Sequence, residues 1–191
     1  MTYSNKGLGT LSRNYHKGYR NHLCRGRYKL KRRPIPVNNW EATYFDFNHE
    51  KLVRIAQNAA ELGIEMLVMD DGWFGKRDDD CTGLGDWYVN REKLPGGLGA
   101  LAREINDTGL KFGSWIEPEM ISEDSDLDRN HPDWALAIPG RKPTRSRHQL
   151  VLDMSRADVR EYLGQRITEI LESANIEYIK WDMNRSIADT Y

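Results

Sequence analysis

Cysteine, long apolar runs and early acidic residues are scarce in this 191-residue sequence. Its two cysteines, Cys24 and Cys81, stand far apart, which argues against a disulfide framework and against a zinc cluster of closely spaced ligands, so we expect two free thiols. No apolar run approaches the roughly 18 residues of a membrane span, and the opening MTYSNKGLG lacks the apolar core of a signal peptide. We therefore expect a cytoplasmic location and no membrane partner.

Acidic residues are absent from the first 40 positions, which contain ten Lys or Arg, and all 29 acids follow Trp40. A basic arm of this kind could bind nucleic acid or an acidic partner. It contains no repeat and no aromatic platform, however, and four glycines interrupt it. The remainder of the chain, which contains all of the acidic residues, could neutralise the charge of the arm. We expect no nucleic-acid binding, and docking of the arm onto this remainder or onto a second subunit.

The character of the sequence changes at Pro34, which predicts a basic segment over 1–33 and a separate domain over 34–191. After this boundary, short apolar runs alternate with amphipathic helical patterns. Predicted strands cover 35–40, 64–71, 110–119 and 178–185. Helical patterns follow the first, second and third of these strands, and the third connection also includes a long polar loop. The order predicts an α/β fold with a parallel sheet of right-handed crossovers.

Carboxylates collect where the predicted strands end. They are Asp70, Asp71, Glu117, Glu119 and Asp182. Because barrels and open α/β sheets form active sites at the C-terminal edge of the sheet, this regularity favours function over structural ion pairing. Lys180 and Asp182 share one face of a strand, and a nearby ammonium keeps a carboxylate ionised. A buried structural ion pair is the alternative explanation for these two residues taken alone.

Aromatic residues accompany these acids: Trp40 ends the first predicted strand, Trp73 follows Asp71, and Trp115 precedes Glu117. Carboxylates suit the hydroxyls of a sugar, while flat rings suit its C–H face. Core packing would explain any one of these tryptophans. Glycoside hydrolysis also needs one ionised and one protonated carboxyl group, and Asp182 beside a lysine suits the ionised role.

Cofactor and metal motifs are missing. Neither GxGxxG nor GxxxxGK[ST] occurs, so the sequence does not indicate a glycine-rich nucleotide-binding loop, and we expect no cofactor. The run Asp78-Asp79-Asp80 could ligate a hard cation, but it lacks the spaced oxygens and the glycine of a calcium loop. A solvated or sugar-side loop is the preferred interpretation. The five histidines show no ligand spacing, and we expect no metal.

Five motifs together resemble the bacterial-type α-galactosidases of glycoside hydrolase family 36. In order, they are NNWEATYFDF (38–47), MDDGWFGKRDDD (69–80), LGDWYVN (84–90), WIEPEM (115–120) and YIKWDMNR (178–185). The resemblance covers nearly the whole chain. It implies the first half of a (β/α)8 TIM barrel, preceded by the tail of an N-terminal β-sandwich. It also implies retaining hydrolysis of terminal α-D-galactosyl residues in carbohydrate metabolism, by a full-length enzyme that is a homo-oligomer.

The resemblance assigns a role to eight residues of this sequence. It makes Asp182 the catalytic nucleophile and Lys180 a sugar-binding residue that keeps Asp182 charged, while Asp70 and Asp71 hold the galactose hydroxyls. The other implied sugar contacts are Arg147, Asn184, Trp40 and Trp115. An α-galactoside oligosaccharide is the implied substrate, and an enzyme acting on α-N-acetylgalactosaminides is a close variant.

The sequence departs from the family in extent. Family members place their acid/base aspartate well beyond the nucleophile, so we expect that residue beyond Tyr191. Half of a barrel also leaves two open sheet edges and an uncovered core face. An alternative is therefore a truncated, non-catalytic half-barrel that at most binds sugar or associates with a missing half.

Overall fold

The computed structural model describes residues 2–187 and divides the chain into two compact units, Met1–Pro34 and Ile35–Tyr191. In the first unit, helix α1 (Leu8–Gly18) continues into a π-helical turn at Tyr19–Leu23. No strand occurs within residues 2–34, and the assignment of this segment to the tail of a β-sandwich stays a prediction. Across the described residues, no helix combines the length and the apolar character needed to cross a membrane.

The second unit alternates strands and helices. In chain order it contains β1 (Pro36–Asn38), α2 (Trp40–Thr43), α3 (His49–Glu61), β2 (Met66–Met69), α4 (Gly97–Asp107), β3 (Lys111–Ile116), β4 (Met120–Ile121), α5 (Asp126–Asn130), β5 (Leu150–Val151), α6 (Ala157–Ser173) and β6 (Tyr178–Trp181). Strands β4 and β5 form a small antiparallel pair in the connection between β3 and β6.

The main sheet has four parallel strands in the order β1-β2-β3-β6. Each strand therefore lies beside the next main strand along the chain, and the sheet advances in one direction without a reversal. This winding is typical of a (β/α)8 barrel, whereas a doubly wound sheet reverses its strand order. The predicted α/β class is confirmed, and the four strands form part of a barrel.

Local sequence explains most element boundaries. Asn48 is a typical N-cap residue and predicts the start of α3, and the structure confirms it: the Asn48 side chain accepts the Lys51 N–H at 2.9 Å. The spacing of Ser155 and Asp158 predicts a capping box at the start of α6, and this prediction is wrong. The Ser155 hydroxyl donates to Asp153 Oδ1, and Arg156, the residue before α6, makes no side-chain cap.

The strands are shorter than predicted. Strand β1 ends at Asn38 because the Asn38 side chain accepts the Trp40 N–H at 2.8 Å and turns the chain. Trp40 therefore begins α2, and the prediction that it ends the first strand is wrong. Strand β2 stops at Met69 and β6 stops at Trp181. The strand-end acids consequently lie in the loops that follow the strands.

The core of the second unit lies around β2 and β3. All four residues of β2 are buried, as expected for a parallel strand covered on both faces. Helix α3 contributes Leu52, Ala56 and Ala59 to the same core. Strand β6 differs, because Tyr178 and Trp181 at its two ends are exposed. Within the described residues, β1 and β6 each pair on one side only and form the two edges of the sheet.

Candidate active site

One cavity of about 240 Å³ lies at the C-terminal edge of the main sheet. It brings together all eight residues that the sequence singled out: Trp40, Asp70, Asp71, Trp115, Arg147, Lys180, Asp182 and Asn184. These residues come from the ends of all four strands and from the long loop before β5. The edge of the sheet therefore gathers side chains that are distant in sequence into one site.

Asp70 is buried directly after β2, within a network of polar groups. Its Oδ2 accepts hydrogen bonds from Asn38 Nδ2 at 2.6 Å and from Lys180 Nζ at 2.7 Å. Its own N–H donates to Asn39 Oδ1 at 2.8 Å. Lys180 Nζ lies 4.0 Å from Asp182 Oδ2. The direct partner of Lys180 is therefore Asp70, and the expected Lys180–Asp182 ion pair is present at the longer distance.

Asp71 is also buried, and it pairs with Arg77 in a bidentate arrangement. Arg77 Nε lies 3.0 Å from Asp71 Oδ1, and Arg77 Nη2 lies 2.8 Å from Oδ2. Burial raises the pKa of Asp71, and the guanidinium opposes that rise. Because β2 ends at Met69, the alternation of a strand does not separate Asp70 from Asp71, and both line the cavity.

Asp182 follows β6 and is partly exposed to the cavity. Its Oδ2 accepts hydrogen bonds from Trp115 Nε1 at 2.9 Å and from Asn184 Nδ2 at 3.0 Å. Its Oδ1 accepts the Met183 N–H at 3.0 Å. Burial alone would raise the pKa of Asp182, but these three donors and then Lys180 outweigh burial and lower it below the ordinary value. Asp182 is therefore ionised at neutral pH.

Glu117 lies beneath this group and is fully buried. It accepts hydrogen bonds from the Asn184 backbone N–H, from Asn184 Nδ2 at 3.1 Å and from Gln149 Nε2 at 3.1 Å. Burial raises its pKa, the Asn184 donors oppose the rise, and the charge of Asp182 adds to it. Glu117 is absent from the cavity lining. It holds Asn184, which in turn holds Asp182.

Glu119, the other acid of this motif, points elsewhere. Both of its carboxylate oxygens accept the indole N–H of Trp181 at 3.0 Å. It also lies outside the cavity lining. The two glutamates at the end of β3 therefore support the structure around the site, whereas the aspartates after β2 and β6 line the cavity.

Arg147 reaches the cavity from a tight turn at 146–149. The Ser146 and Gln149 backbones bond each other in both directions, and both residues between them, Arg147 and His148, have left-handed backbones with φ of 52° and 58°. Non-glycine residues adopt this conformation only where the surrounding structure holds them. Arg147 Nη1 donates to Asn184 Oδ1 at 3.3 Å.

Aromatic rings form part of the wall. Trp40 contacts Phe45 edge to face at a centroid distance of 5.0 Å, and both line the cavity with Trp115. Trp73 does not line it. Trp73 is fully buried and donates from Nε1 to the Trp115 carbonyl at 3.0 Å, so core packing is the correct interpretation for this tryptophan.

Four cavity residues were not predicted: Phe45, Arg77, Asp80 and Gln149. The signal for the first three was present, since each lies inside a motif that also contains a predicted site residue. Asp80 ends the run of three aspartates, and its position on the cavity wall agrees with the preferred interpretation of that run. No feature of the sequence indicated Gln149 as a site residue. Its role appears only in the structure, where its side chain donates a hydrogen bond to Glu117.

Comparison with known proteins identifies the family. The Melibiase family profile matches residues 1–191. The chain is 57% identical to alpha-galactosidase AgaA of Geobacillus stearothermophilus, over 99% of this chain and 26% of that protein. It is 56% identical to the bifunctional alpha-galactosidase/sucrose kinase AgaSK of Mediterraneibacter gnavus, over 100% of this chain and 20% of that protein. The chain thus spans about a quarter or less of the length of these relatives.

Solved structures of α-galactosidases are similar to this chain in fold as well as in sequence. The crystal structure of AgaA superposes with a TM-score of 0.95 at 57% identity, covering 99% of this chain and 26% of that chain. Variants of the same enzyme were solved in complex with raffinose and with stachyose, each with a TM-score of 0.94. The partial coverage matches a sheet that forms only part of a barrel. From its motifs, its strand order and these matches, the chain belongs to the Melibiase family, the α-galactosidases of glycoside hydrolase family 36.

Proposed function

We propose that the protein to which this chain contributes is an α-galactosidase that hydrolyses terminal α-D-galactosyl residues with retention of configuration. The observation that carries the proposal is the environment of Asp182. Three hydrogen-bond donors and a lysine keep this carboxylate ionised at the wall of a cavity lined by acids and aromatic rings. An ionised carboxylate beside a sugar-sized cavity is the nucleophile that the retaining reaction requires.

In the first step, a carboxylate oxygen of Asp182 attacks the anomeric carbon of the galactosyl residue. The bond between this carbon and the leaving-group oxygen breaks, and that oxygen takes a proton from a carboxylic acid. Water then attacks the same anomeric carbon and gives a proton to the carboxylate that the acid has become. The bond to Asp182 breaks, which releases galactose and restores both groups. The donors from Trp115 and Asn184 stabilise the aspartate whenever it carries its negative charge.

Recognition of the galactose hydroxyls falls to Asp70 and Asp71. Each is held by a fixed cation, Lys180 or Arg77, and each retains acceptor capacity on its oxygens. The rings of Trp40 and Phe45 suit the apolar face of a sugar. The raffinose and stachyose complexes of the Geobacillus enzyme support an oligosaccharide substrate.

Because the resemblance places the family's acid/base aspartate well after the nucleophile in sequence, we do not assign that role to a residue within 2–187. Retaining enzymes hold their two carboxyl groups about 5–5.5 Å apart. Of the strand-end acids, Asp70 and Asp71 are paired with cations, and Glu117 and Glu119 are committed to neighbouring N–H groups outside the cavity. By itself, the chain would then bind sugar without turnover, as the half-barrel alternative holds.

The test is to trap the glycosyl-enzyme. A full-length protein containing this segment is treated with an activated 2-deoxy-2-fluoro α-galactoside and digested, and its peptides are weighed by mass spectrometry. We expect one fluorogalactosyl group on the peptide that contains Asp182, and none when the corresponding α-glucoside is used. A label on another carboxylate would refute the assignment of Asp182, and the appearance of β-galactose as the first product, monitored by proton NMR, would refute the retaining mechanism.

A further inference from the structure

Three metal-ligand side chains meet beside the cavity. Asp80, Cys81 and His148 each offer one ligand atom, and these atoms all lie within 4.8 Å of one another. The first two belong to the loop after β2, and His148 belongs to the turn before β5. More than sixty residues separate them along the chain, so ligand spacing in the sequence could not reveal the group.

The chemistry of the group matches zinc. A carboxylate oxygen, a thiolate sulfur and an imidazole nitrogen are its common protein ligands, at about 2.0–2.3 Å from the ion. Tetrahedral ligands at such distances lie roughly 3.5 Å from one another. Cys81 Sγ already lies 3.5 Å from Asp80 Oδ1. All three side chains are exposed, so small rotations suffice to bring them to one ion.

Both supporting segments are held before any ion binds. Asp79 Oδ1 accepts the N–H groups of Cys81 at 2.8 Å and Thr82 at 3.1 Å, which fixes the backbone that carries the thiol. His148 lies in the turn at 146–149, whose two backbone hydrogen bonds fix a left-handed conformation. Such preorganisation reduces the entropy lost on binding.

The charge around the thiol favours a cation. Asp78, Asp79 and Asp80 directly precede the thiol, and Cys81 Sγ lies 3.5 Å from Asp80 Oδ1. These carboxylates attract a divalent ion. Because the ion binds the thiolate, each binding event releases the thiol proton, and affinity increases with pH.

We propose that Asp80, Cys81 and His148 form a binding site for Zn²⁺ or a similar borderline divalent cation, with water in the fourth position. Three protein ligands and one open position permit exchange of the ion. The site departs from the expectation of no metal. It would join the loop that carries Asp80 to the turn that carries Arg147, two parts of the cavity wall. A cation there would link the two segments.

Cobalt is the probe. The reduced chain is titrated with Co²⁺, whose thiolate complex absorbs in the near ultraviolet and whose tetrahedral form absorbs in the visible. We expect one Co²⁺ per chain, displaced by Zn²⁺. Cys81→Ser should abolish the thiolate band. His148→Gln and Asp80→Asn should each weaken binding at least about tenfold, since loss of even an outer-shell partner of a metal ligand has effects of this size.

Matched controls come from the first unit. Cys24→Ser and His22→Gln remove the same residue types elsewhere and should leave the titration unchanged. Circular dichroism checks that each variant is folded, and because the three ligands are exposed, we expect unchanged spectra. The proposal is overturned if the chain shows no thiolate band at millimolar Co²⁺, if Cys81→Ser retains the band, or if Cys24→Ser removes it.

Discussion

Lys180 bonds Asp70 rather than Asp182: its Nζ lies 2.7 Å from Asp70 Oδ2 and 4.0 Å from Asp182 Oδ2. Asp70 follows β2 and Lys180 lies in β6, and β3 lies between these two strands in the sheet. One ammonium therefore neutralises the acid of a strand that is not its neighbour and supports Asp182 only from a longer distance. The low pKa of Asp182 depends chiefly on Trp115 and Asn184.

Replacing the proposed nucleophile tests the chemistry. In a full-length protein, Asp182→Asn should abolish turnover of an aryl α-galactoside, because the amide cannot form the glycosyl ester, and such losses usually span several powers of ten. Binding of raffinose, measured by calorimetry, should survive. If the variant keeps more than about a tenth of the activity, Asp182 is not the nucleophile.

Removing the indole donor tests what keeps Asp182 ionised. Trp115→Phe keeps an aromatic ring but removes the N–H that donates to Asp182 Oδ2. The pKa of Asp182 should rise, so the acidic limb of the kcat/KM profile of the full-length protein should move to higher pH. In the chain alone, carboxyl-carbon NMR should report the same upward change.

Trp87→Phe is the matched control. Within the described residues, the buried indole N–H of Trp87 has no hydrogen-bond partner, so its removal should leave the pKa of Asp182 unchanged. The interpretation fails if both variants move the acidic limb equally, because loss of packing would then explain the effect.

Glu117 should act as a positioning residue. Glu117→Gln replaces one acceptor oxygen with an N–H₂ group that faces the Asn184 and Gln149 donors. Hydrogen bonds to charged groups contribute about 1.5–3 kcal/mol, so we expect kcat/KM to fall about 10- to 100-fold as Asn184 moves. Loss of the Asn184 donor raises the pKa of Asp182, whereas loss of the Glu117 charge lowers it, so kcat/KM should fall on its pH plateau and not only on its acidic limb. Glu119→Gln, in the same motif, is the control and should leave kcat/KM unchanged.

The Asp71–Arg77 pair should stabilise the fold strongly. Arg77→Met leaves a buried carboxylate without its cation, and such losses reduce the free energy of unfolding by about 3–5 kcal/mol. Adding Asp71→Asn should recover part of this loss. Urea unfolding followed by tryptophan fluorescence measures both effects. Lys51→Met, which breaks the exposed pair with Asp46, should have no measurable effect. If Arg77→Met and Lys51→Met reduced the free energy of unfolding equally, the buried Asp71–Arg77 pair would not have the strong stabilising role assigned to it.

The isolated chain should self-associate and show no α-galactosidase activity. Trp181 and Met183 are 55% and 56% exposed at the end of β6, an edge strand that also exposes Tyr178. An apolar patch of this kind favours association. Sedimentation velocity should show oligomers, which Trp181→Ser with Met183→Ser reduces. Leu62→Ser, at an exposed leucine after α3, should leave them unchanged. A monomeric chain that hydrolyses an aryl α-galactoside would contradict this prediction and would mean that one of the strand-end acids serves as the acid.

The α/β class, the order of the four main strands and the composition of the site follow from the sequence. Hydrophobic periodicity is a local property, and acids placed after successive parallel strands must reach one edge of the sheet. For that reason the structure gathers Asp70, Asp71 and Asp182 into one cavity, whereas Arg147 and Asn184, which line it too, were indicated only by the family resemblance. The strand ends were predicted less well, because side-chain caps such as Asn38 end β1 before the apolar pattern does.

Only the tertiary structure decided which groups become partners. Lys180 and Asp182 share a strand face, yet the packing of three strands brings Lys180 closer to Asp70, which lies 110 residues away in sequence. The parallel register of β3 and β6 sets Trp115 opposite Lys180, and from there its indole reaches Asp182. Cys81 and His148 meet only because two loops converge. Sequence patterns therefore determined which residues reach the edge of the sheet, whereas strand register and loop conformation set the distances between their side chains.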